Sequence, residues 1–444
     1  MSTLAAAQPR ERMALNAFLY GVGHHTSGWR HPDSAVERVG DIAYLEELAR
    51  LAERGCLDAV FLADGQSVNH EYAAGIPWMF EPLTALTAMA RATTRIGLVS
   101  TVSASFSTPF TAARLLASLD HISGGRAGIN VVTSMFDAEA RNHGLDALPP
   151  HAERYARAEE FLAATTALWD SWDDDAVVAD RVSGRFLDPE KIRPIHHAGE
   201  HFRVAGPLSV PRSPQGRPVI FQAGSSDTGR AFAARHAEAI YSVSWDREQA
   251  LAYAGDLRAR ITAAGRDAAG VAILPGLVTY VGRTREEALD KKRALDAHLD
   301  LPAALAQLGM FTGIDYAAHP LDQRVAALAP AETFSGPQGR YLTVARIIET
   351  AEPTLRELLG YLAAGGGHAT MIGSSEEVAD EMEAWFRSGA CDGFNLMCPS
   401  FPSGLHDLVE LVVPLLVERG LFRASYGPAD TLRARLTPAH TSVS

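Results

Sequence analysis

Short apolar runs recur along the chain and alternate with longer amphipathic or alanine-rich runs. Eight of the short runs are apolar throughout rather than alternating, which is typical of parallel strands buried on both faces. They cover residues 15–21, 59–64, 95–103, 127–133, 218–224, 239–243, 272–281 and 393–399. We therefore predict eight buried strands.

Helical patterns separate these strands. In residues 41–54, for example, Leu45, Leu48 and Leu51 form one apolar stripe. The other predicted helices are 81–92, 111–121, 154–169, 227–236, 247–264, 286–299, 375–387 and 405–419. Strands that alternate with helices in this way predict an α/β fold, a (β/α)8 TIM barrel. A doubly wound open sheet is the alternative, but no G-x-G-x-x-G motif follows the first strand to favour it.

Two stretches are longer than a barrel needs, residues 171–217 and 301–373. Because such insertions usually shape the active-site mouth, we expect both at the carboxyl-terminal face of the barrel. No composition shift divides the chain, so we expect one domain over residues 1–444.

The composition excludes several classes of protein. With 40 Lys and Arg against 53 Asp and Glu, the 444-residue chain has a formal net charge of −13, which disfavours nucleic-acid binding. No uncharged apolar run approaches the ~18 residues of a membrane span, and no secretory signal is visible. Cys56, Cys391 and Cys398 suggest neither a disulfide framework nor a metal site. The expected location is the cytoplasm.

Polar residues stand where three predicted strands end. Asp64 ends the second strand, Thr101 lies near the end of the third, and Asn130 lies in the fourth. Active sites of barrel enzymes are at the carboxyl ends of the strands, so these residues predict a small-molecule site. Taken singly, each also fits a helix cap or ordinary loop chemistry.

The fifth strand ends in GSSDTGR, which contains Ser225 and Ser226 just before a helix. Backbone N–H groups at a helix N-terminus, together with nearby hydroxyls, bind phosphate well, and Arg230 could add charge. Simple N-capping is the alternative interpretation.

His151 and Tyr155 share one helix face at i, i+4 spacing and could bind a planar ligand or its phosphate, although a surface or core role is equally ordinary.

The segment GHHTSGWRHP follows the first strand and contains three histidines, one tryptophan and one arginine. Metal ligation would lack carboxylate or cysteine support, so a loop over an anionic or planar ligand is the better interpretation. No G-x-S-x-G elbow and no pair of strand-end carboxylates is present, which disfavours hydrolase and glycosidase activity.

These segments resemble the flavin-dependent monooxygenases of the luciferase-like superfamily, in the branch of nitrilotriacetate, EDTA and dibenzothiophene-sulfone monooxygenases. The matching stretches include GHHTSGWRHP, RIGLVSTVSASFSTPF, LDHISGGRAGINVVTS, HAERYARAEEF, GRPVIFQAGSS and TGIDYAAHPLD. The resemblance implies a luciferase-like barrel that uses reduced FMN, supplied by a separate NAD(P)H-dependent flavin reductase. It also implies activation of O2 as a flavin peroxide, oxygenation of a small organic substrate with possible C–N or C–S cleavage, and a homodimer or homotetramer.

The same resemblance assigns site residues. Its FMN contacts are Asp64, Thr101, His151, Tyr155, and Ser225 or Ser226. Asn130 would lie under the flavin ring, and His25 is the candidate polar group near the reacting oxygen. The expected substrate contacts are Phe61, Trp245 and Phe311, and no metal is expected. At position 311 the sulfone branch has His, so a pocket lined by Phe311 would disfavour a sulfone.

Two alternatives keep the same barrel. One is a hydride-transfer oxidoreductase that uses a deazaflavin or a flavin, and the other is a flavin-binding barrel without catalysis. Oxygen dependence of turnover separates the first alternative from a monooxygenase. The sequence does not predict the substrate.

Overall fold

The computed structural model describes residues 10–68, 80–334, 338–428 and 431–436. Within these ranges the strands are β1 Ala14–Leu19, β2 Ala59–Leu62, β3 Gly97–Ser103, β4 Ala127–Val132, β5 Val177–Asp180, β6 Arg185–Leu187, β7 His197–Ala198, β8 Arg203–Val204, β9 Val219–Gln222, β10 Ala239–Ser242, β11 Ala272–Gly282, β12 Ala369–Ser374 and β13 Gly393–Leu396. The α-helices are α1 Ile42–Arg54, α2 Pro82–Ala92, α3 Pro109–Ser123, α4 Asp137–Asn142, α5 His151–Trp169, α6 Asp227–His236, α7 Arg247–Ala263, α8 Arg285–Asp296, α9 Leu301–Thr312, α10 Gln338–Ala351, α11 Leu355–Gly365, α12 Ser375–Arg387, α13 Ser403–Asp407, α14 Val413–Glu418 and α15 Leu432–Leu436.

Eight parallel strands close into a barrel in the order β1-β2-β3-β4-β9-β10-β11-β13, and β13 pairs back with β1. These are the eight strands that the apolar runs predict, so the (β/α)8 fold is confirmed. The strands read as continuous apolar runs because the barrel interior covers one face of each strand and the surrounding helices cover the other.

A ninth parallel strand, β12, was not predicted. It pairs with the carboxyl-terminal half of β11, where Leu277 faces Ala369 and Gly282 faces Ser374. The second predicted insertion therefore ends in a strand. The alternating burial of β12 explains the omission, since a half-buried edge strand lacks the continuous apolar run of the barrel strands.

The helix predicted at 405–419 is interrupted. A π-turn at Leu408–Val412 separates α13 from α14, and Pro414 is the second residue of α14. Proline has no N–H and its ring crowds the carbonyl one turn earlier, which accounts for the break. In the described part of the chain, no helix is both long and apolar enough to cross a membrane.

Aromatic side chains pack together in the interior of the barrel. Phe18 lies 5.1 Å from Phe61 and 5.9 Å from Tyr241, measured between ring centroids. Phe61 also lies 6.1 Å from Phe221. These four rings come from β1, β2, β9 and β10, so they connect opposite sides of the barrel.

Helix α15 closes the amino-terminal end of the barrel. Leu432 and Leu436 are fully buried. Any side chain added at Gly97 or Gly128, on β3 and β4, would come within 2.6 Å or 3.3 Å of Leu432. The two glycines thus leave the space that this helix occupies.

The two insertions lie at different ends of the barrel. The first, 171–217, begins where α5 ends, and Gln215 donates to Asp120 and to the carbonyl of Ala127 at 2.6 Å. Ala127 starts β4, so this insertion lies at the amino-terminal side of the strands and differs from the expectation. The physical reason is that α5 runs antiparallel to the strands and ends on that side.

The second insertion lies at the expected carboxyl-terminal face. Thr26, in the loop after β1, donates its backbone N–H to Ala363 of α11 at 2.9 Å. Trp245, which follows β10, donates its indole N–H to Thr350 of α10 at 2.9 Å. Helices α9 to α11 therefore stand over the barrel mouth.

Candidate functional site

Thr101 and Asn130 form the buried centre of the predicted site. They are register partners on β3 and β4, and the Asn130 side-chain amide donates to the Thr101 hydroxyl at 3.0 Å. Both are almost completely buried, yet Asn130 Oδ1 has no hydrogen-bond partner in the part of the chain that the structure describes. A buried amide oxygen without a partner is costly, so this atom is available to a ligand.

Asp64 lies two residues beyond β2, the strand that pairs with β3. Its carboxylate accepts a hydrogen bond from the Gln66 side chain at 3.0 Å. Partial burial raises the pKa of Asp64, although the bond from Gln66 opposes that shift. Asp64 is thus a half-buried carboxylate with acceptor capacity left for a ligand.

A buried carboxylate that the sequence analysis missed holds the surrounding loops. Glu139 accepts hydrogen bonds from the backbone N–H groups of Met135 and Phe136, both at 3.1 Å, and from that of Gln66 at 3.3 Å. It therefore ties the loop after β2 to the loop after β4. The acidic first turn of a short helix is the only sequence signal for it.

The predicted phosphate site forms at the N-terminus of α6. The Ser226 hydroxyl caps the helix by accepting from the backbone N–H of Gly229 at 3.0 Å. The first N–H groups of a helix have no intrahelical acceptor and point outwards. Both Ser225 and Ser226 are exposed, so an anion can reach this terminus.

Tyr155 and two glycines complete a cradle at this terminus. A Cβ at Gly229 would lie 2.8 Å from the Tyr155 hydroxyl, and one at Gly224 would lie 3.1 Å from it. The His151 ring lies 4.8 Å from the Tyr155 ring. The structure therefore brings His151 and Tyr155 to the helix N-terminus, where the resemblance places them, and only glycine leaves that space open.

Arg230 does not join this cradle. Its guanidinium donates to Asp256 at 2.9 Å and lies over the ring of Tyr253. The expectation that Arg230 adds charge for a phosphate is therefore not met, because α7 supplies a carboxylate partner for it.

The structure shows His25 held by two hydrogen bonds within the protein. Its Nδ1 accepts the backbone N–H of Ser27 at 3.2 Å, so Nε2 carries the proton and donates to Asp296 at 3.1 Å. Lys292 also binds Asp296. Burial would raise the pKa of Asp296, but the bond from His25 and the charge of Lys292 lower it. His25 thus anchors its loop to α8, with both ring nitrogens engaged.

The three predicted substrate residues occupy different surroundings. Phe61 is 2% exposed and packs among the interior rings. Trp245 packs on Tyr361 and lines a groove of about 440 Å³ that β12 and α12 also line. Phe311 lies in α9 under the guanidinium of Arg340. The structure therefore brings Phe311 and Trp245 to the second insertion rather than to one common surface with Phe61.

A tyrosine–histidine pair at the mouth was also missed. The Tyr241 hydroxyl, at the end of β10, lies 2.8 Å from Nε2 of His368, which precedes β12. Burial lowers the pKa of His368 to about 3 and raises that of Tyr241, so both are neutral at neutral pH. The two residues are 127 positions apart, and no local motif joins them.

A closed α/β barrel with polar side chains and an exposed helix N-terminus at the carboxyl ends of its strands is typical of the TIM-barrel class of enzymes. The family model described as luciferase-like monooxygenase matches residues 18–392. The chain belongs to this family, as the sequence motifs predicted.

Full-length relatives agree with this assignment. The chain is 42% identical to N-acetyl-S-(2-succino)cysteine monooxygenase of Bacillus subtilis (strain 168), over 96% of each chain. It is 40% identical to nitrilotriacetate monooxygenase component A of Aminobacter aminovorans, over 94% of this chain and 95% of that one. The crystal structure of DmoA from Hyphomicrobium sulfonivorans superposes with a TM-score of 0.85 at 34% identity, over 97% of this chain and 93% of that one. The prediction of a flavin-dependent monooxygenase is confirmed, and the hydride-transfer and non-catalytic alternatives are disfavoured.

Proposed function

We propose that this chain is the oxygenase component of a two-component system that uses reduced FMN and O2 to oxygenate a small organic substrate. The observation that carries the proposal is the cradle of Gly224, Gly229 and Tyr155 at the N-terminus of α6. This cradle follows β9, which pairs with β4, the strand that carries Asn130. A phosphate and a polar ring system joined by a short chain fit this arrangement.

Each residue near the cradle has a proposed part in holding FMN. The N-terminus of α6 with Ser225 and Ser226 would bind the phosphate, assisted by His151 and Tyr155. Asp64 and Thr101 would hydrogen-bond the ribityl chain or the polar edge of the isoalloxazine. The partnerless Asn130 Oδ1 would contact the ring from below. His25 stays a prediction as the polar group near the reacting oxygen.

When bound, reduced FMN supplies two electrons, so that one atom of O2 enters the substrate and the other leaves as water. The chain's own contribution is to orient the cofactor and to exclude bulk water. The interior rings, among them Phe18, Phe61 and Phe221, form an apolar floor for that purpose.

The finer features follow the same proposal. The name of one relative, component A, supports a separate partner component, which we propose is an NAD(P)H-dependent flavin reductase. We further propose a homodimer or homotetramer, a cytoplasmic location, and one barrel domain over residues 1–444 with insertions at 171–217 and 301–373.

Rapid mixing tests the proposed function. The protein is loaded with reduced FMN without oxygen, mixed with oxygenated buffer, and followed by flavin absorbance. We expect tight binding of reduced FMN and reoxidation that is slower than that of free FMN. Reoxidation at the rate of free FMN, with and without candidate substrates, would contradict a monooxygenase, and failure to bind reduced FMN would point to a deazaflavin.

Tyr155→Phe tests the phosphate cradle. Removing the hydroxyl deletes one hydrogen bond to the phosphate, so we expect FMN affinity to fall by about 1 kcal/mol, roughly fivefold. Riboflavin, which has no phosphate, should bind the variant and the wild type equally. Tyr253→Phe is the matched control, because no described residue forms a hydrogen bond with that buried hydroxyl. Equal losses for FMN and riboflavin would contradict the assignment.

A further inference from the structure

The Tyr241–His368 pair has an unsatisfied hydrogen-bonding position. Nε2 of His368 is taken by the Tyr241 hydroxyl, but Nδ1 is buried and has no partner among the described residues. His368 itself is 8% exposed. A buried imidazole nitrogen without a partner is costly, so its retention at a barrel mouth needs a reason.

The surrounding backbone is shaped around this pair. A Cβ at Gly276 of β11 would lie 2.5 Å from His368 Nδ1 and 2.8 Å from the Tyr241 hydroxyl. The absence of a side chain at Gly276 therefore allows the imidazole and the phenol to meet inside the barrel. The hydroxyl also lies 3.2 Å from the sulfur of Met397, which helps to fix the phenol.

An exposed cation lies beside the loop that leads to His368. Arg340 of α10 donates to the carbonyl of Gly366 at 2.7 Å, two residues before His368, and lies 5.6 Å from the Phe311 ring. Among the carboxylates whose side chains the structure describes, none lies within ion-pair distance of Arg340. Its positive charge adds to the effect of burial in lowering the pKa of His368, and it opposes the rise that burial causes in the pKa of Tyr241.

This group also faces the proposed FMN site. Tyr241 lies 6.3 Å from Phe61, and Phe61 lies 6.1 Å from Phe221, the register partner of Asn130. The interior rings thus form a continuous surface from the Thr101–Asn130 pair to Tyr241.

We propose that Arg340 and His368 bind a carboxylate group of the substrate, with Tyr241 orienting the imidazole and Phe311 flanking the bound group. The Tyr241 hydroxyl donates to Nε2, so Nδ1 carries the proton and donates to the carboxylate, while Arg340 supplies the compensating charge. The ligand is a substrate only if the proposed function holds. The carboxylate site itself does not depend on turnover.

Calorimetric titration tests the site without catalysis. The probes are tricarballylate and succinate, with the neutral succinamide as comparison, added to the protein with oxidised FMN in metal-free buffer. We expect saturable binding of the carboxylates, at least about tenfold tighter than that of succinamide, because only the carboxylates pair with Arg340. Binding of succinamide as tight as succinate, or no saturable binding of either carboxylate, would overturn the proposal.

Variants locate the binding. Arg340→Met should weaken tricarballylate binding by about tenfold or more, Arg340→Lys should restore part of it, and His368→Gln should also weaken it. Arg324→Met is the matched control, since Arg324 lies in the same insertion but pairs with Glu352 on the surface. Unchanged affinity in Arg340→Met would overturn the site. Reoxidation of reduced FMN, measured on the same proteins, separates this failure from failure of the proposed function.

Discussion

Replacing Ser226 by Asp is expected to abolish most FMN binding while leaving the fold intact. Aspartate caps helices as well as serine does, so α6 keeps its bond to the backbone N–H of Gly229. The added carboxylate, however, would face the phosphate at the same helix terminus. Loss of a charge-assisted contact costs about 1.5–3 kcal/mol, so we expect FMN to bind about 10-fold to 150-fold more weakly, and like-charge repulsion adds to this.

Flavin fluorescence titration measures this effect, with FMN and riboflavin as ligands. Riboflavin affinity should stay close to that of the wild type, because the change touches only the phosphate position. Ser374→Asp is the matched control, since Ser374 caps α12 through the backbone N–H of Glu377 in the same manner. Unchanged FMN affinity in Ser226→Asp would remove the N-terminus of α6 from the cofactor site.

Replacing Asp58 by Ala is expected to cause a large loss of stability. The Asp58 carboxylate is fully buried and accepts from the backbone N–H of Leu15 at 2.7 Å and from Arg423 at 2.6 Å. Arg435 of α15, 2% exposed, lies 3.8 Å away. Removing one partner of a buried ion pair costs about 3–5 kcal/mol, because the other charge keeps its desolvation cost.

Urea denaturation followed by tryptophan fluorescence measures the loss as a lower midpoint at constant slope. Asp58→Asn should lose less, since its amide oxygen can still accept from Leu15. Asp290→Ala is the control, because Asp290 forms an exposed pair with Arg293 and should lose less than about 1 kcal/mol. A loss that small in Asp58→Ala would show that the ion pairs of Asp58 with Arg423 and Arg435 contribute little to the free energy of unfolding.

The barrel could be predicted because each of its strands is recognisable from the residues of a short segment. A strand buried on both faces must be apolar at consecutive positions, so 127–133 and 239–243 are visible without any partner. Strand β12 escaped because it is an edge strand with alternating burial. The first insertion was predicted at the wrong end of the barrel because its composition does not show at which end it lies. The direction of α5 decides that position.

The candidate site was predictable in part for the same reason. Asp64, Thr101 and Asn130 stand at strand ends, and parallel strands carry their ends to one edge. His25 and Arg230 each have a carboxylate partner in the structure. Those partners, Asp296 and Asp256, lie on other helices and cannot be identified from the neighbouring sequence.

The sequence by itself determined the eight-stranded barrel, the family and the strand-end polar residues, since each depends on residue patterns within short segments. Only the tertiary structure decided which side chains meet. The Tyr241–His368 pair joins residues 127 positions apart, and the neighbouring glycine, Gly276, belongs to a third segment. Contacts between residues so far apart in the sequence depend on the packing of the whole barrel, so no local sequence pattern predicts them.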